Sequence, residues 1–280
     1  MKVRNNSGFV KWLLIGISVV FLSIMLLLPL VYVIYTAFRE GLAAYLAAVK
    51  DTYAVKSILL TIEVTVITLV VNTVFGLFAA WLLTKFQFRG KKIISTLIDL
   101  PLTISPIIAG LVFVLTFGRQ SFLYPLLEKL GIQIIFAVPG IVLATIFVTF
   151  PFISREIIPV LNAEGTEEEE AAALMGANGF QIFTQITFPH IKWAFLYGIV
   201  LCSARAMGEF GAVSVLSGHL RGITNTMPLY IELLYQAFDF TGAFAMSSIL
   251  VVMAVIILIL RNILEYRGKR ELDGKENGGR

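Results

Sequence analysis

The chain has 280 residues, 58% of them hydrophobic and 14% charged, with 22 Lys and Arg against 18 Asp and Glu. Soluble domains are about 45–50% apolar and about 25% charged. A mean hydropathy of +0.88 therefore excludes a soluble enzyme, a disordered chain and a disulfide-stapled secreted module. The single cysteine, Cys202, cannot close an internal disulfide, and a net charge of +4 is no nucleic-acid signature in a membrane protein.

A span needs about 20 mostly apolar residues to cross about 30 Å of hydrocarbon. Six stretches meet this: 12–38, 58–83, 93–117, 134–152, 193–216 and 243–263. They predict an all-α polytopic membrane protein with six transmembrane helices in one membrane domain, 12–265. A short N-terminus, 1–11, precedes it, and a charged, Gly-rich tail, 266–280, expected to be flexible, follows. The first run is too long for the apolar region of a signal peptide, about 7–15 residues, and is expected to be a retained helix.

The second span carries Glu63 near its start, within reach of the interface. The third contains Asp99, Pro101 and Pro106, and each proline removes a helical donor, so the span should kink or break there. Ser105 and Thr103 place hydroxyls beside the break. Broken backbone at membrane depth lines a cavity or is buried in protein, and free half-helix amides suit anions. A bend made only for packing explains the prolines equally well. In the fifth span Arg205 and Glu209 stand four apart, which puts them on one helix face where they can pair. They either line a translocation path or form an internal ion pair that orients the helix. The segment 218–239, with Arg221 and a proline-led amphipathic piece from Pro228 to Leu234, reads as a gate element, a docking surface or plain loop. His190 and His219 have no partners at metal-ligand spacing, and no metal site is expected.

Lys and Arg in alternate loops set orientation. Lys2, Arg4, Lys11, Lys85, Arg89, Lys91, Lys92, Arg155, Lys192, Arg261, Arg267, Lys269, Arg270, Lys275 and Arg280 fall on one side. Arg39, Lys50, Lys56, Arg119, Lys129 and Arg221 fall on the other, so the count is fifteen against six and both termini are expected in the cytoplasm.

The fourth loop, 155–192, is then cytoplasmic and has its own structure. Thr166 to Glu169 fits a capping box, with Glu169 reaching back to the cap amide. Four consecutive acids, Glu167 to Glu170, favour the positive end of that helix. Ala171 to Met175 propagate it, and Gly176 suits the left-handed position after its end. A second helix starts at Asn178, with Gln181 at its third position and Phe180, Phe183 and Ile186 on one side; Pro189 should stop it. The apolar face of this helix–Gly–helix suits a groove on another protein. The alternative, lying on the lipid surface, would favour Lys and Arg rather than acids.

Glu170-Ala171-Ala172, Gly176, Ile186 and Phe188-Pro189 fit the EAA motif, with Phe188 where Leu is usual. The chain thereby resembles the membrane permeases of ATP-binding cassette (ABC) importers. Residues 204–215 (ARAMGEFGAVSV), 98–101, 105–111, 145–148, Ser217-Gly218 and Arg221-Gly222 narrow the resemblance to sulfate/thiosulfate permeases of the CysW type. Molybdate and tungstate permeases share only the Gly208–Ala212 core as closely. The resemblance implies a type I ABC importer permease fold, with Glu170, Ala171, Ala172, Gly176, Ile186 and Pro189 coupling to an ATPase subunit. It also implies a cell-membrane complex of two ATPase copies, a second homologous permease and an extracytoplasmic sulfate-binding protein, all set in the lipid bilayer. No G-x-x-x-x-G-K-[ST] occurs, so ATP would be bound by the partner, and this chain is expected to have no catalytic residues or cofactor. A transporter working without an ATPase is the alternative of a different class.

Overall fold

The computed structural model describes the backbone of residues 7–278; residues 1–6 and 279–280, and the side chains at 7, 9 and 268–278, lie outside the described residues. Most of the expected N-terminal segment 1–11 therefore falls outside it. All described secondary structure is helical. Five helices are long and apolar enough to span: Val10–Ala37, Thr52–Lys85, Val138–Glu164, Gly179–Met207 and Phe240–Arg267. The pair Lys91–Thr103 and Pro106–Phe117, bent by 110°, is apolar and long enough only when its halves are taken together, as a broken third span or a re-entrant element.

Local chemistry sets most helix ends. The second span starts at Thr52 because Asp51 Oδ2 accepts from the amides of Tyr53 (2.9 Å) and Ala54 (3.2 Å). Two spans contain a π turn, Ser23–Leu27 and Phe183–Thr187, each ending two residues before a proline, Pro29 and Pro189. The wider turn accommodates a ring that has no N–H and would crowd the carbonyl four residues back. Pro189 therefore does not stop the helix, contrary to expectation; it is carried inside the fifth span.

Two boundaries differ from the hydropathy reading. The fourth span runs to Glu164, so the expected 155–192 loop shrinks to Gly165–Asn178 between helices. Ile153, Ile157 and Leu161, four apart, are buried against Ala80, Ile191 and Cys202, and this packed stripe extends the helix beyond the apolar run. The fifth span, expected over 193–216, ends at Met207; Gly208 caps it and a separate short helix, Gly211–Leu216, follows.

The fourth span sits between the second and fifth. A Cβ on Gly198 would lie 3.0 Å from Ile153 Cα, so glycine lets the fourth and fifth backbones meet. The first span buries none of its most apolar window, and its Tyr32 meets Phe244 edge to face. The last helix continues over Phe240–Gly278, where a flexible tail was expected from 266. Once a helix is nucleated, each further residue adds a hydrogen bond at small cost, and a charged composition does not stop it.

Contacts sort the connections into two ends. At one, Phe136 N donates to Leu216 O (2.9 Å) and Tyr230 Oη to Asp51 Oδ2 (3.0 Å). At the other, Lys85 meets Gly165 and Glu169.

Candidate functional site

The 165–178 loop is a short acidic helix, Glu167–Leu174, closed by a Schellman turn and followed by a second helix. Ala177 N donates to Ala172 O and Gly176 N to Ala173 O, both at 3.0 Å. Gly176 has φ +92°, the left-handed conformation that only glycine adopts without strain. The expected helix start at Asn178 is present and is a full capping box, both bonds at 2.9 Å: Gln181 N donates to Asn178 Oδ1, and Asn178 N to Gln181 Oε1.

The box expected at Thr166 is absent. Thr166 Oγ1 instead donates to Glu170 Oε1 (2.8 Å), and Glu169 turns inward. Its Oε2 lies 3.0 Å from Lys85 Nζ and its Oε1 accepts from Thr187 Oγ1 at 2.6 Å. A cation and a buried hydroxyl win this carboxylate from a solvated amide. Among the motif residues, Glu170, Ala171, Gly176 and Pro189 are exposed, Ala172 is buried and Ile186 half-buried. Leu174 is 91%, Met175 82% and Phe180 77% exposed, an apolar tip left uncovered among the described residues. His190, read as isolated, has Nδ1 2.8 Å from Glu164 Oε2 and Nε2 3.5 Å from Glu168 Oε2.

Within the membrane, Pro101 lies buried inside Lys91–Thr103, and the break falls at Ile104–Ser105. Ser105 is the exposed residue before Pro106, which opens the second half-helix. This half-helix packs against Gly211–Leu216: a Cβ on Gly110 would lie 2.7 Å from Ala212 O, and one on Gly211 2.9 Å from Pro106 Cβ. The breaks in the third and fifth spans are thus neighbours. Arg205 and Glu209 do pair, Nη1 to Oε2 at 2.6 Å, but not along one helix as expected. The helix ends between them at Met207, and the chain folds Glu209 back. Its other oxygen accepts from Ala212 N (2.8 Å), so one buried carboxylate closes the fifth span and starts the next helix. Asp99 pairs with Arg155 Nε at 2.8 Å across to the fourth span. Glu63 lies exposed on the flank of the second span.

Two polar groupings escaped the sequence reading. Ser57, Thr61, Thr65, Thr68 and Asn72 form a buried stripe on the second span. Asn72 Nδ2 donates to Thr149 Oγ1 (2.7 Å), and Met227 N donates to Thr61 Oγ1 (2.8 Å). Their spacing of three and four in an apolar run was the available signal. At the Asp51 end, Arg221 stacks on Tyr53 (5.2 Å) and Tyr230 (6.0 Å). Residues 224–227 are buried, so the 218–239 segment is no plain loop. A cavity of about 680 Å³, lined by Val114 and by residues between Phe117 and Phe136, contains none of the candidate residues.

Burial raises the Asp51 carboxyl, but bonds from Tyr230 and the Ala54 and Tyr53 amides outweigh it and hold the group below its ordinary value. Burial and the Asp51 bond push Tyr230 up to about 12. A depressed folded pKa stabilises above the unfolded value, about 3.9, and that contribution is lost as pH falls through the folded pKa. Asp51→Ala should therefore lower stability by about 0.5–2 kcal/mol at neutral pH. The gap in thermal midpoint should hold from pH 8 to 5 and close in acid below about pH 4; a gap that widens in acid would contradict the assignment.

The chain is thus a set of bent and broken spans with a structured loop projecting from one end, and its relatives are membrane permeases. Residues 72–270 match the family model described as "Binding-protein-dependent transport system inner membrane component". The chain belongs to that family of ABC importer permeases and, within it, to the CysW sulfate permeases. It is 46% identical over 257 residues to the "Sulfate transport system permease protein CysW" of Escherichia coli (strain K12), covering 92% of this chain and 88% of that one. The "Sulfate transport system permease protein CysT" of the same strain is 32% identical over 260 residues, covering 93% and 94%. The expected type I permease fold is the one observed. A chain of the crystal structure of the bacterial alginate ABC transporter, in complex with alginate pentasaccharide-bound periplasmic protein, superposes with a TM-score of 0.75. Its identity is 17%, and the match covers 95% of this chain and 98% of that one.

Proposed function

We propose that this chain is one of two permease subunits of an ATP-driven sulfate importer, with its termini and the 165–178 loop in the cytoplasm. The observation that carries this reading is the uncovered tip Leu174, Met175 and Phe180 on a helix–Gly–helix outside the spans. It fits an apolar cleft on an ATPase, and the acidic first turn speaks against anionic lipid as its partner. ATP is bound by that ATPase, in two copies. The second permease is a CysT-like homologue, and an extracytoplasmic binding protein delivers sulfate at the Asp51–Arg221 end. Sulfate as cargo rests on the relatives named as sulfate transport permeases.

Closure of the ATPases pushes on Glu170, Ala171, Ala172, Gly176, Ile186 and Pro189, and so on the second, fourth and fifth spans that flank the loop. The anion passes the paired breaks, the one marked by Pro101, Ser105 and Pro106 and the one at Arg205–Glu209, which meet where Pro106 approaches Gly211. Residues 12–265 act as one permease domain. Purified in mild detergent, the complex should retain its ATPase, and after reconstitution into sealed vesicles it should take up labelled sulfate only with ATP and binding protein. Thiosulfate, molybdate and tungstate serve as competitors, and uptake without an ATPase would refute the reading.

Orientation rests on the fifteen-to-six distribution of Lys and Arg. Ser217 is fully buried and useless as a label, whereas Phe122 (87%) and Ile223 (61%) are exposed. In a Cys202→Ser background, Phe122→Cys and Ile223→Cys should react with a membrane-impermeant maleimide on intact cells, and Met175→Cys only after permeabilisation. The reverse pattern would invert the topology.

A further inference from the structure

In the short acidic helix, Glu169 is the side chain held to the bundle on both oxygens. Lys85 ends the second span; its Nζ donates to Gly165 O (2.6 Å) and lies 3.0 Å from Glu169 Oε2. Glu169 Oε1 takes the hydroxyl of Thr187, 3% exposed, in the π turn that opens the fifth span. The Lys85 and Glu169 side chains are only 9% and 19% exposed. Ile186 and Leu161 wall the same cleft. Beside it, His190 ties Glu164, the last residue of the fourth span, to Glu168. The tip residues Leu174, Met175 and Phe180 lie beyond this attachment, and none of them takes part in it.

We propose that the Lys85–Glu169–Thr187 clasp transmits ATPase movement from the loop to the second and fifth spans, making Lys85 and Glu169 positioning residues for transport. The physical reason is stiffness. A loop joined to its spans only through Gly165 and Gly176, both at positive φ, yields when pushed. A partly desolvated ion pair with a buried hydroxyl resists, because separating it strands a lysine and a carboxylate in poor solvent. The docking tip and the clasp are then separate functions of one helix: the tip binds the ATPase, and the clasp converts its motion.

The inference rests on the importer reading, so the wild-type complex, shown to take up sulfate with its ATPase, is the reference for every variant. Lys85→Met and Glu169→Gln complexes are reconstituted with ATPase and binding protein. ATPase copurification and basal hydrolysis should stay at the wild-type level, while sulfate taken up per ATP hydrolysed falls by about tenfold or more. The exchange Lys85→Glu with Glu169→Lys should recover part of that ratio, whereas either reversal alone should not. A wild-type transport ratio in both single variants would overturn the proposal. So would parallel loss of ATPase binding and uptake in Glu169→Gln, since that places the residue in docking. Absence of ATP-driven uptake in the wild-type complex would instead refute the importer reading itself.

Discussion

Gly176→Val should leave the chain in the membrane at the wild-type level and reduce sulfate uptake to background. The residue holds φ +92° at the end of Glu167–Leu174, and two backbone bonds of the Schellman turn depend on it. A β-branched side chain there costs about 1–3 kcal/mol, enough to unwind an eight-residue helix that sits outside the bilayer. Crowding within the chain plays no part, since a Cβ at Gly176 meets nothing within 4 Å. Steric and conformational causes therefore separate. Gly176→Asn, which tolerates the left-handed region, should keep much of the uptake, and Gly176→Ala should fall between. Glu170→Lys removes the acceptor of Thr166 and places a cation on the docking face, so it should fail with normal expression. Uptake and ATPase pull-down in the same membranes check all four. Normal uptake in Gly176→Val would remove the coupling assignment.

Loss of Arg205 should be among the most damaging single changes in the spans. Glu209 is 2% exposed, and its Oε2 has the Arg205 guanidinium as its ionic neighbour at 2.6 Å. Removing one partner of a buried pair costs about 3–5 kcal/mol, because the other charge is left uncompensated. Arg205 is itself partly exposed, which places the expected value toward the lower end. Arg205→Ala should therefore reduce assembled complex as well as uptake. Glu209→Gln, isosteric and neutral, should assemble better, since its side-chain oxygen can still accept from Ala212 N. The exchange Arg205→Glu with Glu209→Arg should recover only part of the function: it restores the ion pair but places a cation where a helix N-terminus wants an acceptor. Independent effects in a double-mutant cycle, read as complex yield and uptake, would dissolve the pair.

Much of this protein was legible in the order of its residues, for local reasons. Apolar runs of span length, Gly176 after a run of helix formers, and Asn178 with Gln181 three positions on each involve neighbours within a few positions. Pro101 and Pro106 announced a break in the third span because a missing N–H is a property of the residue itself. Tertiary structure decided what depends on partners distant in the chain. The fourth span outruns its apolar stretch because Ile153, Ile157 and Leu161 pack on two other helices. Pro189 lies within a helix because a π turn makes room for it. Glu169, which local rules assign to a capping box, belongs to Lys85 and Thr187, because a cation and a buried hydroxyl outbid a solvated amide. His190 gained its two carboxylates in the same way. Arg205 and Glu209 meet although the helix that was to align them ends at Met207. Spacing identified Arg205 and Glu209 as partners; folding alone brought Asp99 to Arg155, because that requires two segments to arrive at one place.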